Sequence, residues 1–277
     1  MAGFSSSAYK GNHGDLAVHF IDVGQGDCAL AVYKDYTILI DAGEISEKSK
    51  VITYLRSLDI ERIDMIIASH PHSDHIGSLS AVIDRYGTDL LVIPEVTEEM
   101  TPVSSSFENM INSADKCGAE LRFAEVGETL SVSEDFSIDF IAPVADYEDL
   151  NNYSIVCRLN YGENSFIFTG DIEEISERDI VDSGADISAD VIKIAHHGSS
   201  TSSLKVFLQS VDPDYAVISV GSRNDYGHPH EKTLDLLRLL EINLYRTDYH
   251  GDIVIFSDKT NLTVVTENKE VPFDVYS

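Results

Sequence analysis

Short apolar runs, most of them closed by a glycine, a proline or an acidic residue, alternate along this chain with stretches that repeat apolar residues every three or four positions. The first kind reads as strands and the second as helices, because a strand changes face every residue while a helix returns to one face every 3.6. Three strands open the pattern. The run Leu16-Ala-Val-His-Phe-Ile-Asp-Val23 stops at Gly24-Gln25-Gly26-Asp27, a strand over 28–33 returns, and residues 37–40 form a third that ends at Asp41-Ala42-Gly43. The glycines at 24 and 26 permit a backbone turn that side chains would block. A helix is predicted over 46–58, with apolar residues at 51, 52, 55 and 58 and Ser46 as its cap.

The apolar run 65–68 is the next strand. Beyond it the pattern predicts a helix over 76–86, a strand over 89–93 ending at Pro94, a helix over 104–116 closed by Gly118, edge strands at 121–124 and 129–132, and an alternating strand at 136–141 ended by Pro143. Residues 144–152 are acidic and loop-like. Runs at 153–161 and 165–169 make a hairpin about Gly162-Glu163-Asn164, and it ends at Gly170-Asp171. Helices follow at 173–181, 203–210 and 231–240, with strands at 215–220, 243–245, 253–256 and 262–265. An internal echo links Asp64-Met-Ile-Ile-Ala-Ser-His70 to Asp190-Val-Ile-Lys-Ile-Ala-His196, and the strand before Asp41 to the strand before Asp171. No linker or low-complexity tract divides the chain, so it reads as one domain of two similar halves over 1–277, with a polar leader at 1–15.

Composition adds charge and compartment to this picture. Of 277 residues 43% are hydrophobic, enough for a sizeable core, while 19 basic residues face 48 acidic ones for a formal net charge of −29. Such a surface repels nucleic acid unless a local basic track overrides it, so a polynucleotide partner is disfavoured. No run reaches the length of a membrane span, and the leader lacks the apolar centre of a secretory signal. A soluble protein is expected, cytoplasmic if the chain is complete and extracellular if an export segment has been removed. Cys28, Cys117 and Cys157 are odd in number and far apart, which predicts free, buried thiols. The oligomeric state has no signature here.

The chemistry concentrates after the strand at 65–68. Ser69-His70-Pro71-His72-Ser73-Asp74-His75 puts four metal-capable side chains within six residues. Residues two apart in extended chain share a face, so His70 and His72 project together, and Asp74 sits where an acidic group is favoured, ahead of a helix. Three imidazoles and a carboxylate make a poor hydrophobic core, but they match the ligands of zinc, manganese or iron. Downstream, Gly170-Asp171, His196-His197-Gly198-Ser199 and Tyr226-Gly227-His228-Pro229-His230 supply further polar groups at strand ends and loops. Strand alternation does not choose between His196 and His197. His13, His19 and His250 read as ordinary surface or sheet residues, and Cys28 as core.

Taken together, His70-x-His72-x-Asp74-His75, the strand ending in Asp171 and the downstream His197 resemble the metallo-β-lactamase fold superfamily over nearly the whole chain. Within it, Phe20-Ile-Asp-Val-Gly-Gln-Gly-Asp27, Leu39-Ile-Asp-Ala-Gly43, His196-His-Gly-Ser199 and Tyr226-Gly-His-Pro-His230 are similar to the metal-dependent domain of ComEC competence proteins, their free-standing relatives and the phosphorylcholine esterases. The resemblance implies a four-layer αββα sandwich with the site at one edge between two sheets. It implies two divalent cations, Zn or Mn: His70 and His72 on one, Asp74, His75 and His197 on the other, and Asp171 bridging both. The chain departs from the commonest pattern where a further histidine would complete the first site; Asn151-Asn152-Tyr153-Ser154 stands there instead.

The expected activity is hydrolysis of a phosphodiester by a hydroxide held between two cations, with Asp74 orienting it. His228 is the candidate to bind a substrate phosphate or protonate a leaving group. His196, Ser199, Asn152, Tyr226 and His230 are expected to bind substrate or support the ligands, and Asp22, Asp27 and Asp41 to organise the loops beneath. The competing expectations are a ComEC-like DNA nuclease and a metal-binding domain without catalysis. A serine hydrolase is excluded by the absence of a Gly-x-Ser-x-Gly elbow, and a dinucleotide fold by the lack of a third glycine after Gly26.

Overall fold

The computed structural model describes residues 15–268 together with 275 and 276. The expectations for the leader and for His13 lie outside the described residues. The first half of the chain comprises β1 (Leu16–Phe20), β2 (Ala29–Tyr33), β3 (Tyr36–Ile40), α1 (Lys48–Ser57), β4 (Ile63–Ile67), α2 (Ser73–Ile76), α3 (Leu79–Tyr86), β5 (Thr88–Ile93), α4 (Ser105–Cys117) and β6 (Glu120–Phe123). The second comprises β7 (Thr129–Ser131), β8 (Phe136–Ala142), β9 (Val156–Tyr161), β10 (Asn164–Phe168), α5 (Glu174–Ser183), β11 (Val191–Lys193), α6 (Lys205–Val211), β12 (Tyr215–Ile218), α7 (Glu231–Leu239) and β13 (Asn243–Arg246). A helical turn, α8 (Thr247–His250), then leads into β14 (Ile253–Ser257) and β15 (Leu262–Thr266).

Two sheets result, one ordered β15-β14-β1-β2-β3-β4-β5-β6 and the other β13-β12-β11-β10-β9-β8-β7. Alternation along each strand divides the apolar residues between two layers. Leu16, Val18, Phe20, Ile38, Met65 and Ile67 turn inward against Phe136, Phe140, Leu159, Phe166 and Val191 of the other sheet. Leu30, Leu39, Ile66 and Leu91 turn outward against Val51, Leu55, Val82, Ile83 and Met110 of α1, α3 and α4. On the far side Ile167, Ile192 and Ala216 meet Ile180, Phe207 and Leu237 of α5, α6 and α7. The layers are therefore helix, sheet, sheet, helix, as the resemblance implies.

The internal echo is carried into the backbone. β3 pairs in parallel with β4, and β10 with β11, each pair joined through a helix. Asp64 accepts hydrogen bonds from Thr37 N at 2.7 Å and Thr37 Oγ1 at 3.0 Å. Asp190 does the same for Ser165, at 2.7 and 3.1 Å. In both halves an aspartate opening the later strand clips the start of the earlier one, which fixes register and sends the two strand ends to the same edge of the sandwich.

Four local expectations are corrected. Ser46 does not cap a helix; a 3-10 turn over Ile45–Glu47 precedes α1, and the Glu44 carboxylate accepts from Ile45 N at 3.3 Å. The helix predicted from 76 begins at Ser73 as α2 and breaks at Gly77 before α3. Residues 150–153, split between a loop and a strand in the sequence reading, form a 3-10 turn with Asn151, Asn152 and Tyr153 buried. Cys117 is exposed, while Cys28 and Cys157 are buried as expected. Of the histidines left as ordinary, His19 is buried in β1 with Nδ1 2.7 Å from Tyr54 Oη. His250 belongs to α8, where its Nδ1 lies 3.0 Å from Arg246 N.

Candidate metal centre

The ends of β4, β10 and β11 converge on one cleft of about 280 Å³. The loop after β4 is held from below. Asp41, left-handed at φ 58°, accepts from Ser69 N at 2.8 Å and Ser69 Oγ at 2.6 Å, and lies 2.8 Å from His75 Nδ1. Asp27 N donates to Asp74 O at 3.1 Å, and a Cβ at Gly26 would collide with that same carbonyl. This close approach is why glycine stands at 26. Asp22 accepts from Gly24 N at 3.0 Å and pairs with Lys50, and the Asp27 carboxylate pairs with Lys193.

Above this support, ligand-capable atoms of Asp74, His75, Asp171 and His197 lie within 4.8 Å of one another. His197 Nε2 is 3.3 Å from Asp74 Oδ2 and 3.5 Å from Asp171 Oδ2. His70 and His72 stand together beside them, Nε2 to Nδ1 at 3.1 Å, with the His70 ring 4.1 Å from that of His75. His75 Nε2 and Asp171 Oδ1 are 3.3 Å apart, yet both are buried without a hydrogen-bond partner among the described residues. Buried polar atoms are seldom left so, and imidazole with carboxylate is the donor set of a divalent cation, so these residues fit one.

Electrostatics agree. Burial alone would lower the His75 and His197 pKa values, but the carboxylates of Asp171, Asp41, Asp27 and Asp74 reverse this, taking His75 well above the ordinary value and His197 up to about 9. Burial would raise Asp171, and the surrounding imidazoles hold it well below the carboxylate range. Two protons on imidazole thus balance the acidic cluster where cations would.

Both His196 and His197 line the cleft. Their backbones are left-handed, with φ 50° and 53°, so the chain is not extended there and strand alternation has no hold on it. His197 Nδ1 lies 2.9 Å from Ser219 O, which directs Nε2 to the carboxylates. His196 Nε2 is farther, 4.0 Å from Asp171, and its Nδ1 is 3.3 Å from Glu173. His228 sits behind them at 5.6 Å from the His196 ring, with Tyr226 stacked on it. Burial and the neighbouring histidines bring its pKa down to about 4.

Three residues expected to bind substrate or support the ligands, Asn152, His230 and Ser199, stand outside the cleft lining. Asn152 accepts from Glu173 N at 3.0 Å, and it is Asn151 that borders the cleft, its buried Oδ1 without a partner among the described residues. His230 Nδ1 accepts from Ser200 N at 2.8 Å. Ser199 Oγ meets Thr201 Oγ1 at 3.0 Å and shapes the turn. Sequence reasoning also missed Lys193, which is buried under the cleft, ion-paired to Asp27 and 3.3 Å from Gly170 O. Its signal was available: Lys193 shares an inward strand face with Val191, and a charge there requires a partner.

The sequence pattern that defines the metallo-beta-lactamase superfamily matches residues 21–222. Among curated proteins, ComE operon protein 3 of Bacillus subtilis is 32% identical over 85% of this chain and 32% of its own length. Competence protein ComA of Neisseria gonorrhoeae is 31% identical over 86% of this chain and 32% of its own. The chain therefore spans about a third of the length of these relatives. Among solved structures, the diiron β-hydroxylase CmlA of Streptomyces venezuelae superposes with a TM-score of 0.60 at 15% identity, over 88% of this chain and 54% of that one. The metallo-beta-lactamase fold protein YhfI of Bacillus subtilis gives 0.53 at 14%, over 87% and 99%. At such identities the structures speak for the fold alone. With the pattern matched across most of its length and the sandwich and cleft in place, this chain belongs to the metallo-beta-lactamase superfamily.

Proposed function

We propose that the chain is a metal-dependent hydrolase of small phosphodiesters, with His70 and His72 on one divalent cation, Asp74, His75 and His197 on a second, and Asp171 shared between them. The grouping of Asp74, His75, Asp171 and His197 within 4.8 Å carries this reading. Bound cations of this kind supply Lewis acidity and activate water near neutral pH. The chain's own residues do the rest. Asp74, half-buried in the cleft lining, would orient the attacking water. Asp41 and Ser219 O fix the far ring nitrogens of His75 and His197, which sets the tautomer each presents. His228, neutral at pH 7, suits binding of a phosphate oxygen better than proton donation, the other role open to it.

The small-substrate preference rests on charge. Among the described residues no lysine or arginine lines the cleft. Lys193 is spent on Asp27, and Lys232 on Glu174 and Ser200 O. A polynucleotide needs a positive path several phosphates long. The similarity to competence proteins favours a second reading, a DNA nuclease. Metal analysis of the purified protein, then assays with zinc or manganese on bis(p-nitrophenyl) phosphate and single-stranded DNA, separates them. Turnover of the small diester with weak DNA binding at physiological salt is expected. Tight, salt-sensitive DNA binding with processive degradation would replace this reading by the nuclease, and failure to bind metal would remove both.

A further inference from the structure

Beside the polar cleft lies a second cavity of a different character. Its volume is about 180 Å³, and its lining includes Val96, Phe107, Met110 and Phe123, with His70 and Pro71 as the wall toward the metal centre. Thr101 carries the one hydroxyl in the lining, and that group reaches back to Thr97 O at 3.4 Å. Both nitrogens of His70 are engaged elsewhere, Nδ1 3.1 Å from Ser69 Oγ and Nε2 3.1 Å from His72 Nδ1, so what His70 offers the cavity is carbon. Nothing in this lining would hold a phosphate or ordered water. An apolar cavity of about 150 Å³ is enough to take up a benzene ring.

The strand-end loop divides the two spaces. His70 and Pro71 border the apolar one, and His72, Ser73 and Asp74 the polar one. A molecule with an anionic centre at the metal residues therefore has, one residue away along the same loop, a compartment suited to an uncharged ring. We propose that this cavity is a binding site for a ring-sized apolar group, and that the group is an arm of the substrate whose anionic centre occupies the polar cleft. The second clause rests on the hydrolase reading above; the first does not.

The test uses the full chain loaded with zinc, with indole as the probe, followed by saturation-transfer NMR. Saturable binding is expected, weakened about tenfold or more by filling the cavity with Val96→Phe. Thr101→Phe narrows the same cavity from an exposed position and does the same if the first variant fails to fold. Val103→Ala, exposed and outside the lining, leaves binding unchanged. Diphenyl phosphate should displace indole at lower concentration than dimethyl phosphate. Absence of saturable binding, or equal binding in a folded filled variant, overturns the site. Binding that neither phosphate displaces overturns the substrate-arm assignment and leaves a site for free apolar molecules. Because no readout requires turnover, a chain that binds indole and hydrolyses nothing counts against the hydrolase reading alone.

Discussion

Asp171 stands within 4.0 Å of His75, His196, His197 and Lys193. If it is shared by two cations, Asp171→Ala loses both metals, whereas His197→Ala loses mainly the second; metal analysis after dialysis reads the difference, and a variant at Asp171 that keeps two would refute the sharing. Asp41→Asn, which alters only the support of His75 and Ser69, should weaken metal affinity about 10- to 100-fold. The proton balance makes a further claim. His197 is raised to about 9 and His75 is raised well above its usual value, so the metal-free chain draws stability from both protons below the unfolded value of about 6.5 and loses it as pH rises through the folded values. Cations must expel those protons. Calorimetry at pH 7.5 in buffers of different ionisation enthalpy should report about two protons released per chain, and none would contradict the assignment.

The elements show what was legible and why. β3 and β4 read as runs of Ile, Leu and Met because both faces of a central strand are covered, and the motif at 70–75 declared itself because three imidazoles and a carboxylate crowd into six residues. What strand and cap patterns alone could not give depended on backbone or on distant partners: Ser46, displaced by Glu44; a choice between His196 and His197 by alternation, lost to two left-handed residues; and Lys193, whose partner lies 166 positions earlier at Asp27. Glu177 is another such residue. Fully buried in α5, it accepts from Ser203 N and Leu204 N at 2.6 Å each and so holds the loop that leads into α6. Glu177→Ala strands two donors and should lose about 2–4 kcal/mol in urea unfolding. Burial pushes this carboxyl up to about 7 against the two backbone donors. A raised acid contributes fully below its unfolded value, about 4.5, and loses that contribution as pH passes 7. The gap between wild type and variant should therefore be wider at pH 5 than at pH 8, and a gap constant with pH would show that the group keeps its charge.

At the scale of the whole molecule the net charge of −29 repels itself, so raising sodium chloride from about 20 to 200 mM should increase the melting temperature through screening. A melting point that fell would place the dominant charge effect in the internal ion pairs instead. Among the described residues no helix is long and apolar enough to cross a membrane. The cleft, finally, is made by chain segments far apart: Asp74 follows β4 in one sheet, His197 follows β11 in the other, and 123 positions separate them. If a cation is held by both, as proposed, it would act as a clasp across the sandwich and would bind only while the halves are closed. Opening and metal loss then become one event, so amide exchange in the strands of both sheets should slow together when metal is added, and quicken together when a chelator takes it away.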